Sequence, residues 1–299
     1  MIRKLLITVI AVTCSFGCDT VVQLDVPRNN SQLVVNSLFA PDSTFGVSLY
    51  KSVFVLDEGR SQPIAGATAK VFDSNGNEVT QLSEQEEGVY TSNVSAEPGK
   101  TYEIKVSKSG YETATALSAV PADTAQVIKL EATSSSESSS SARISLWIDD
   151  PEGVDYYEVT GQSQTVIYTP KDTLYFGKKL YLNSNNATFE DFDSGRYDMF
   201  FDDKLFDGTR QKLTFRTNLL KAQCTNDNAE CRDEHEVTFF VRKTSKAYHR
   251  YKQSIHQQNE VGGDPFAEPV PVYDNIENGL GIFAGFRVNK YELDVPEDQ

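Results

Sequence analysis

Alternation with a period of two dominates the chain. Over 44–55, Phe45, Val47 and Leu49 alternate with Gly46, Ser48 and Tyr50, the pattern of a strand with one face turned to a core. Over 101–106, Tyr102, Ile104 and Val106 share one face in the same way. Short runs at 32–39, 68–72, 78–82, 88–91 and 111–119 read as further strands. Turn signals punctuate them: Asp73-Ser74-Asn75-Gly76, Pro98-Gly99 and Ser109-Gly110. Asn-Gly is the strongest of these, because both residues tolerate the positive φ angles of tight hairpins. Strands at this spacing predict an antiparallel sandwich over 31–122.

Pro121-Ala122-Asp123 marks a boundary, and a larger β domain is expected over 123–299. Its strands are predicted at 125–132, 142–148, 156–160, 163–168, 173–182, 211–217, 236–243 and 283–294. A serine-rich run, 133–141, reads as a loop. One helix is predicted at about 244–258. Thr244 or Ser245 can cap it, and Tyr248, Tyr251 and Ile255 fall on one helical face. The expected fold is mainly β: two antiparallel β-sandwich-like domains, the second carrying one amphipathic helix.

The N-terminus has a different pattern. Arg3 and Lys4 precede a short apolar run, and small residues lead to Gly17-Cys18. The run is shorter than the ~20 residues a membrane-spanning helix needs. It reads as a secretory signal over 1–17. Gly17-Cys18 resembles a lipoprotein cleavage box, which implies lipid on Cys18 and a tether over 18–30. Removing Arg3 and Lys4 leaves 26 of the 28 basic side chains against 43 acids, a net charge of −17. Such a balance argues against nucleic acid as a partner. Of the four cysteines, Cys14 departs with the signal and Cys18 is acylated, leaving Cys224 and Cys231. In an oxidising compartment this pair is expected to form a local disulfide.

No enzyme signature emerges, so no catalytic residue, cofactor or metal is expected. Zincin spacing, a nucleophile elbow and nucleotide-binding loops are all missing. His249 and His256 are expected on an exposed helix face. The acidic stretch 190–207, with Glu190, Asp191, Asp193, Asp198, Asp202, Asp203 and Asp207, offers oxygen ligands of the kind calcium takes, but lacks EF-hand spacing. Solvated loop carboxylates are the simpler reading.

The last third carries the most distinctive text: Gly263-Asp264-Pro265-Phe266, then Asn275-Ile276-Glu277-Asn278-Gly279-Leu280-Gly281-Ile282-Phe283-Ala284-Gly285. With Leu33-Val34-Val35-Asn36, Gly88-Val89-Tyr90, Asp149-Asp150-Pro151 and the 203–208 segment, it resembles the DUF4249 family of Bacteroidota lipoproteins. The first domain also resembles immunoglobulin-like, transthyretin-like and carboxypeptidase-regulatory sandwiches. The family resemblance implies an outer-membrane lipoprotein, on either face of that membrane, that serves as a binding or accessory component beside a TonB-dependent barrel. A glycan-binding or adhesive surface protein is the alternative. Within the motif, Asn275, Ile276, Gly279, Leu280, Gly281 and Phe283 form either a docking loop for such a barrel or a plug closing the sandwich end.

Overall fold

The computed structural model describes residues 30–54, 57, 59–134, 141–184, 186, 188–189, 196–218, 232–262, 267–268 and 270–293. Cys18, Cys224, Cys231 and the acidic residues 190–193 lie outside them, so the lipidation and disulfide readings do too.

The first seven strands are β1 (Leu33–Phe39), β2 (Thr44–Lys51), β3 (Thr68–Asp73), β4 (Glu78–Glu86), β5 (Val89–Ser95), β6 (Thr101–Ser107) and β7 (Ala114–Ala119). The turns predicted between them are present. At Asn75-Gly76 the Asp73 carboxylate accepts from the Asn75 and Asn77 N–H groups at 2.8 and 2.9 Å, and Gly76 takes φ +81°. Phe39, Phe45, Leu49, Tyr90, Tyr102 and Ile104 fill the core. Phe39 stacks on Phe283 with ring centroids 4.4 Å apart and meets Tyr102 edge-on at 5.9 Å. Aromatic pairs of this kind contribute about 0.5–1.5 kcal/mol each beyond their buried area.

The remaining strands are β8 (Gln126–Ser134), β9 (Ser141–Asp149), β10 (Tyr156–Tyr168), β11 (Thr173–Lys179), β12 (Asp198–Asp202), β13 (Arg210–Asn218), β14 (Arg232–Thr244) and β15 (Gly279–Leu293). The helix α1 spans Lys246–Val261. Ser245 is its N-cap, with Oγ accepting from the Tyr248 N–H at 3.3 Å. Among the described residues no helix is long and apolar enough to cross a membrane.

A second core separates these strands from the first set. Ile144, Leu146, Ile148, Leu213 and Phe215 of a three-stranded sheet, ordered β13-β9-β8, pack against Tyr157, Val159, Phe201, Phe239 and Val241 of the large sheet. The two cores change over between Val120 and Ala125.

One feature was not expected. The large sheet runs β11-β10-β14-β15-β1-β2-β5-β4-β3-β6-β7, with β12 beside β10, and so passes through both sandwiches. The 15-residue β15 joins them. Its first half pairs in parallel with β1, Leu33 to Phe39 against Gly279 to Gly285, and its second half pairs antiparallel with β14. Ile276 and Phe283 belong to the first core although they lie late in the chain. The helix covers the opposite face of β15, where Tyr248 meets Ile282 and Ala284.

Candidate functional site

The C-terminal motif is built into the first sandwich. The Asn275 side chain clamps β15: its Oδ1 accepts from the Phe283 N–H and its Nδ2 donates to the Phe283 carbonyl, both at 2.9 Å. Ile276 and Phe283 are buried. Gly279 and Gly281 face the β1 backbone with no room for a methyl group. Leu280, 38% exposed, is the one predicted docking residue that reaches solvent substantially.

Beneath α1 lies a charged cluster. Glu158, 1% exposed, accepts from the Tyr248 hydroxyl and from Arg242, both at 2.9 Å, and pairs with Lys252 at 3.2 Å. Lys252 also reaches Asp198 at 3.1 Å. A buried carboxylate is tolerable only with such partners. His249 departs from the expected exposed face. It is 5% exposed, tilted against Tyr156 and edge-on to Phe200, because residue 249 follows Tyr248 around the helix onto the sheet. Burial drives its pKa down to about 4. His256 is partly covered and pairs with Glu260 at 2.7 Å.

The described acids of 196–207 do not converge on one point. Asp198 serves Lys252, Asp202 pairs with Lys204, and Asp207 accepts from the Gly153 N–H at 2.8 Å. Asp203 instead joins Asp150 and Asp155, with carboxylate oxygens within 4.8 Å of one another. Lys243, 5% exposed, reaches Asp155 at 2.6 Å and Asp123 at 2.8 Å. Burial works against its charge, but the two carboxylates more than reverse this and hold its pKa above the ordinary lysine value. Burial also raises Asp203, to about 6, with the charges of Asp150 and Asp155 adding to the effect. Asp150 is raised by burial and pulled back by the Tyr157 hydroxyl at 2.6 Å and the Gly208 N–H at 3.0 Å. The Asp155 N–H donates to Asp203 at 2.7 Å. These bonds tie the turn at 150–155 to the turn at 203–208, so the cluster clamps two loops together at the end of the second sandwich. Sequence reading named Asp203 in the acidic stretch and Asp150 in the Asp149-Asp150-Pro151 motif, but not Asp155 and not the meeting of the three, which joins residues some fifty positions apart.

A solvent-facing apolar run sits on a sheet edge. The inner edge of β11 pairs with β10 from Gln162 to Tyr168, and among the described residues no strand pairs with its outer edge. From Leu174 to Lys179 every residue is exposed, with Leu174, Tyr175 and Phe176 at 41, 70 and 42%. Tyr181 and Tyr197, both more than half exposed, meet edge-on at 5.3 Å. Folded chains normally blunt such an edge with charge, proline or a covering element. Here the apolar residues stand at its centre, and the lysines Lys178 and Lys179 only at its end.

No curated protein matches the chain. Among solved structures, that of bovine butyrophilin is similar over 71% of this chain and 92% of its own, at 11% identity and a TM-score of 0.19. So loose a superposition carries no argument about fold or function. A family model described as a domain of unknown function matches residues 19–292. With that match spanning both sandwiches and the β15 that joins them, the chain belongs to the DUF4249 family.

Proposed function

We propose that this protein is a lipid-anchored binding component of the outer membrane, without catalytic activity, which docks a β-barrel partner of the TonB-dependent kind through β11. The observation that carries the reading is the apolar edge from Leu174 to Lys179, exposed and without a strand partner on its outer side among the described residues. A free edge offers unpaired N–H and C=O groups to an incoming strand, and alternate side chains then give specificity. The Gly17-Cys18 box supports anchoring of the chain to the membrane through Cys18. The C-terminal motif is a weaker candidate for docking, since Ile276 and Phe283 are buried in the sandwich and Gly279 and Gly281 lie against the β1 backbone.

Co-purification from detergent-solubilised outer membranes tests this. The wild-type chain is expected to bring down an integral barrel protein. Tyr175→Lys, which places on the edge the residue that natural sheets use to repel strand addition, is expected to lose it. Recovery of the same barrel by both proteins would refute docking at β11.

A further inference from the structure

The outer face of the three-stranded sheet has a charge opposite to that of the whole chain. The chain carries a net −15. On this face stand Lys129 of β8, Arg143 of β9, and Arg210, Lys212 and Arg216 of β13, against Glu131 and Asp149. Both acids are already engaged: Glu131 with Lys129, and Asp149 with Arg210 through two bonds of 2.7 and 2.8 Å. Arg143, Lys212 and Arg216, all exposed, have no acidic partner among the described residues.

Two features of this face are unexplained by folding. Arg143 and Arg216 stand directly opposite each other across the β9–β13 ladder, and like charges so placed destabilise a sheet. Trp147, the chain's only tryptophan, is half-buried at the centre of the outer face rather than in the core. Lys129 and Lys212 lie over its ring at 5.2 and 4.7 Å. Arg210, Lys212 and Arg216 follow one another along one face of β13, the last two separated by roughly 13 Å at the usual strand rise.

We infer that this face binds an acidic polysaccharide, with carboxylate or sulfate groups on Arg143, Arg216 and Lys212 and the sugar chain passing beside Trp147. Arginine pairs with such groups bidentately, and these contacts are stronger than neutral hydrogen bonds. A membrane surface fits less well, because Ile128 at the β8 irregularity is the only large exposed hydrophobic residue on these three strands. Single-stranded nucleic acid fits less well too, because it is held by successive aromatic platforms and this face has one. The inference is independent of the β11 reading and survives its failure.

Trp147 supplies the readout. Titration of the full chain with oligogalacturonate and with a sulfated glycosaminoglycan fragment is expected to change its fluorescence, with affinity falling as salt rises, while a neutral glucan oligosaccharide leaves it unchanged. Arg216→Glu is expected to weaken binding by about tenfold or more, the scale of one lost charge-assisted contact. The same substitution converts a repulsive cross-strand pair into an attractive one, so its melting temperature is expected to equal or exceed that of the wild type. No response to either acidic glycan at millimolar concentration, equal binding by Arg216→Glu, or a response only to phosphatidylglycerol vesicles or single-stranded DNA would each overturn the assignment.

Discussion

Gly281 lies against Val35 so closely that a Cβ at residue 281 would stand 2.2 Å from the Val35 carbonyl oxygen. The two residues are partners in the parallel β1–β15 ladder, and Gly281 holds φ +112°, a conformation that side-chain-bearing residues rarely adopt. Gly281→Ala therefore meets a backbone clash and a strained dihedral together. The expected loss is about 3 kcal/mol or more, seen as a lower midpoint in urea unfolding. An unchanged midpoint would show that β15 is not held against β1 as described.

Beneath the helix, Glu158 accepts from Tyr248 and Arg242 and forms an ion pair with Lys252. Glu158→Ala leaves Arg242 without its carboxylate and Lys252 with Asp198 alone. Because Arg242 and Lys252 keep some contact with water, the cost is set at about 2–3 kcal/mol, below the full range for a broken buried pair. Tyr248→Phe should cost about 1 kcal/mol. The double variant should cost less than the sum, since both changes remove the same bond. Strict additivity would count against the network.

Asp203 contributes a dependence on pH with an unusual sign. Its folded pKa, about 6, lies above the ordinary carboxylate value, so the folded state holds a proton that the unfolded state has released. The associated stability is complete below about pH 4 and is lost as pH rises through 6. Asp203→Asn can still accept from the Asp155 N–H and carries no charge. Its stability relative to wild type should be higher at pH 7 than at pH 4, by on the order of 2 kcal/mol, in unfolding curves at the two pH values.

His249 acts in the opposite direction. Burial lowers its pKa to about 4, so the unfolded chain takes up a proton before the folded one does. Stability is present above about pH 6.5 and is lost as pH falls towards 4. His249→Phe keeps a ring between Tyr156 and Phe200 and removes the titration. The variant should lose less stability than wild type between pH 6.5 and 4, again by on the order of 2 kcal/mol.

Much of the fold is legible in the sequence because its determinants are local. Alternation at Phe45, Val47 and Leu49 and the Asn75-Gly76 turn depend on neighbours along the chain, and β2 and the β3–β4 hairpin form where those signals lie. Ser245 and the Tyr248 stripe placed α1 for the same reason. The pairing of Leu33 to Phe39 with Gly279 to Gly285 left no local trace, since it joins segments some 246 residues apart and a parallel ladder has no turn to announce it. β12 escaped notice because Asp198 and Asp202 bracket only three apolar residues. The site residues divide similarly. The C-terminal motif stands out as one continuous stretch of sequence, whereas the contacts of Asp203 with Asp150 and Asp155 arise only when two distant turns meet. The exposure of Tyr175 and Phe176 was hidden because the consecutive run Leu174-Tyr175-Phe176 reads the same in a buried strand and an open edge.

The central claim is that the uncovered edge of β11 contacts a barrel in the outer membrane. A photo-crosslinking amino acid placed at Tyr175 in living cells tests it, with Leu205, equally exposed at 70%, as the control position. Tyr175 is expected to yield a discrete adduct with an integral β-barrel protein, and Leu205 none. Absence of an adduct at Tyr175, or the same adducts at both positions, would contradict the account.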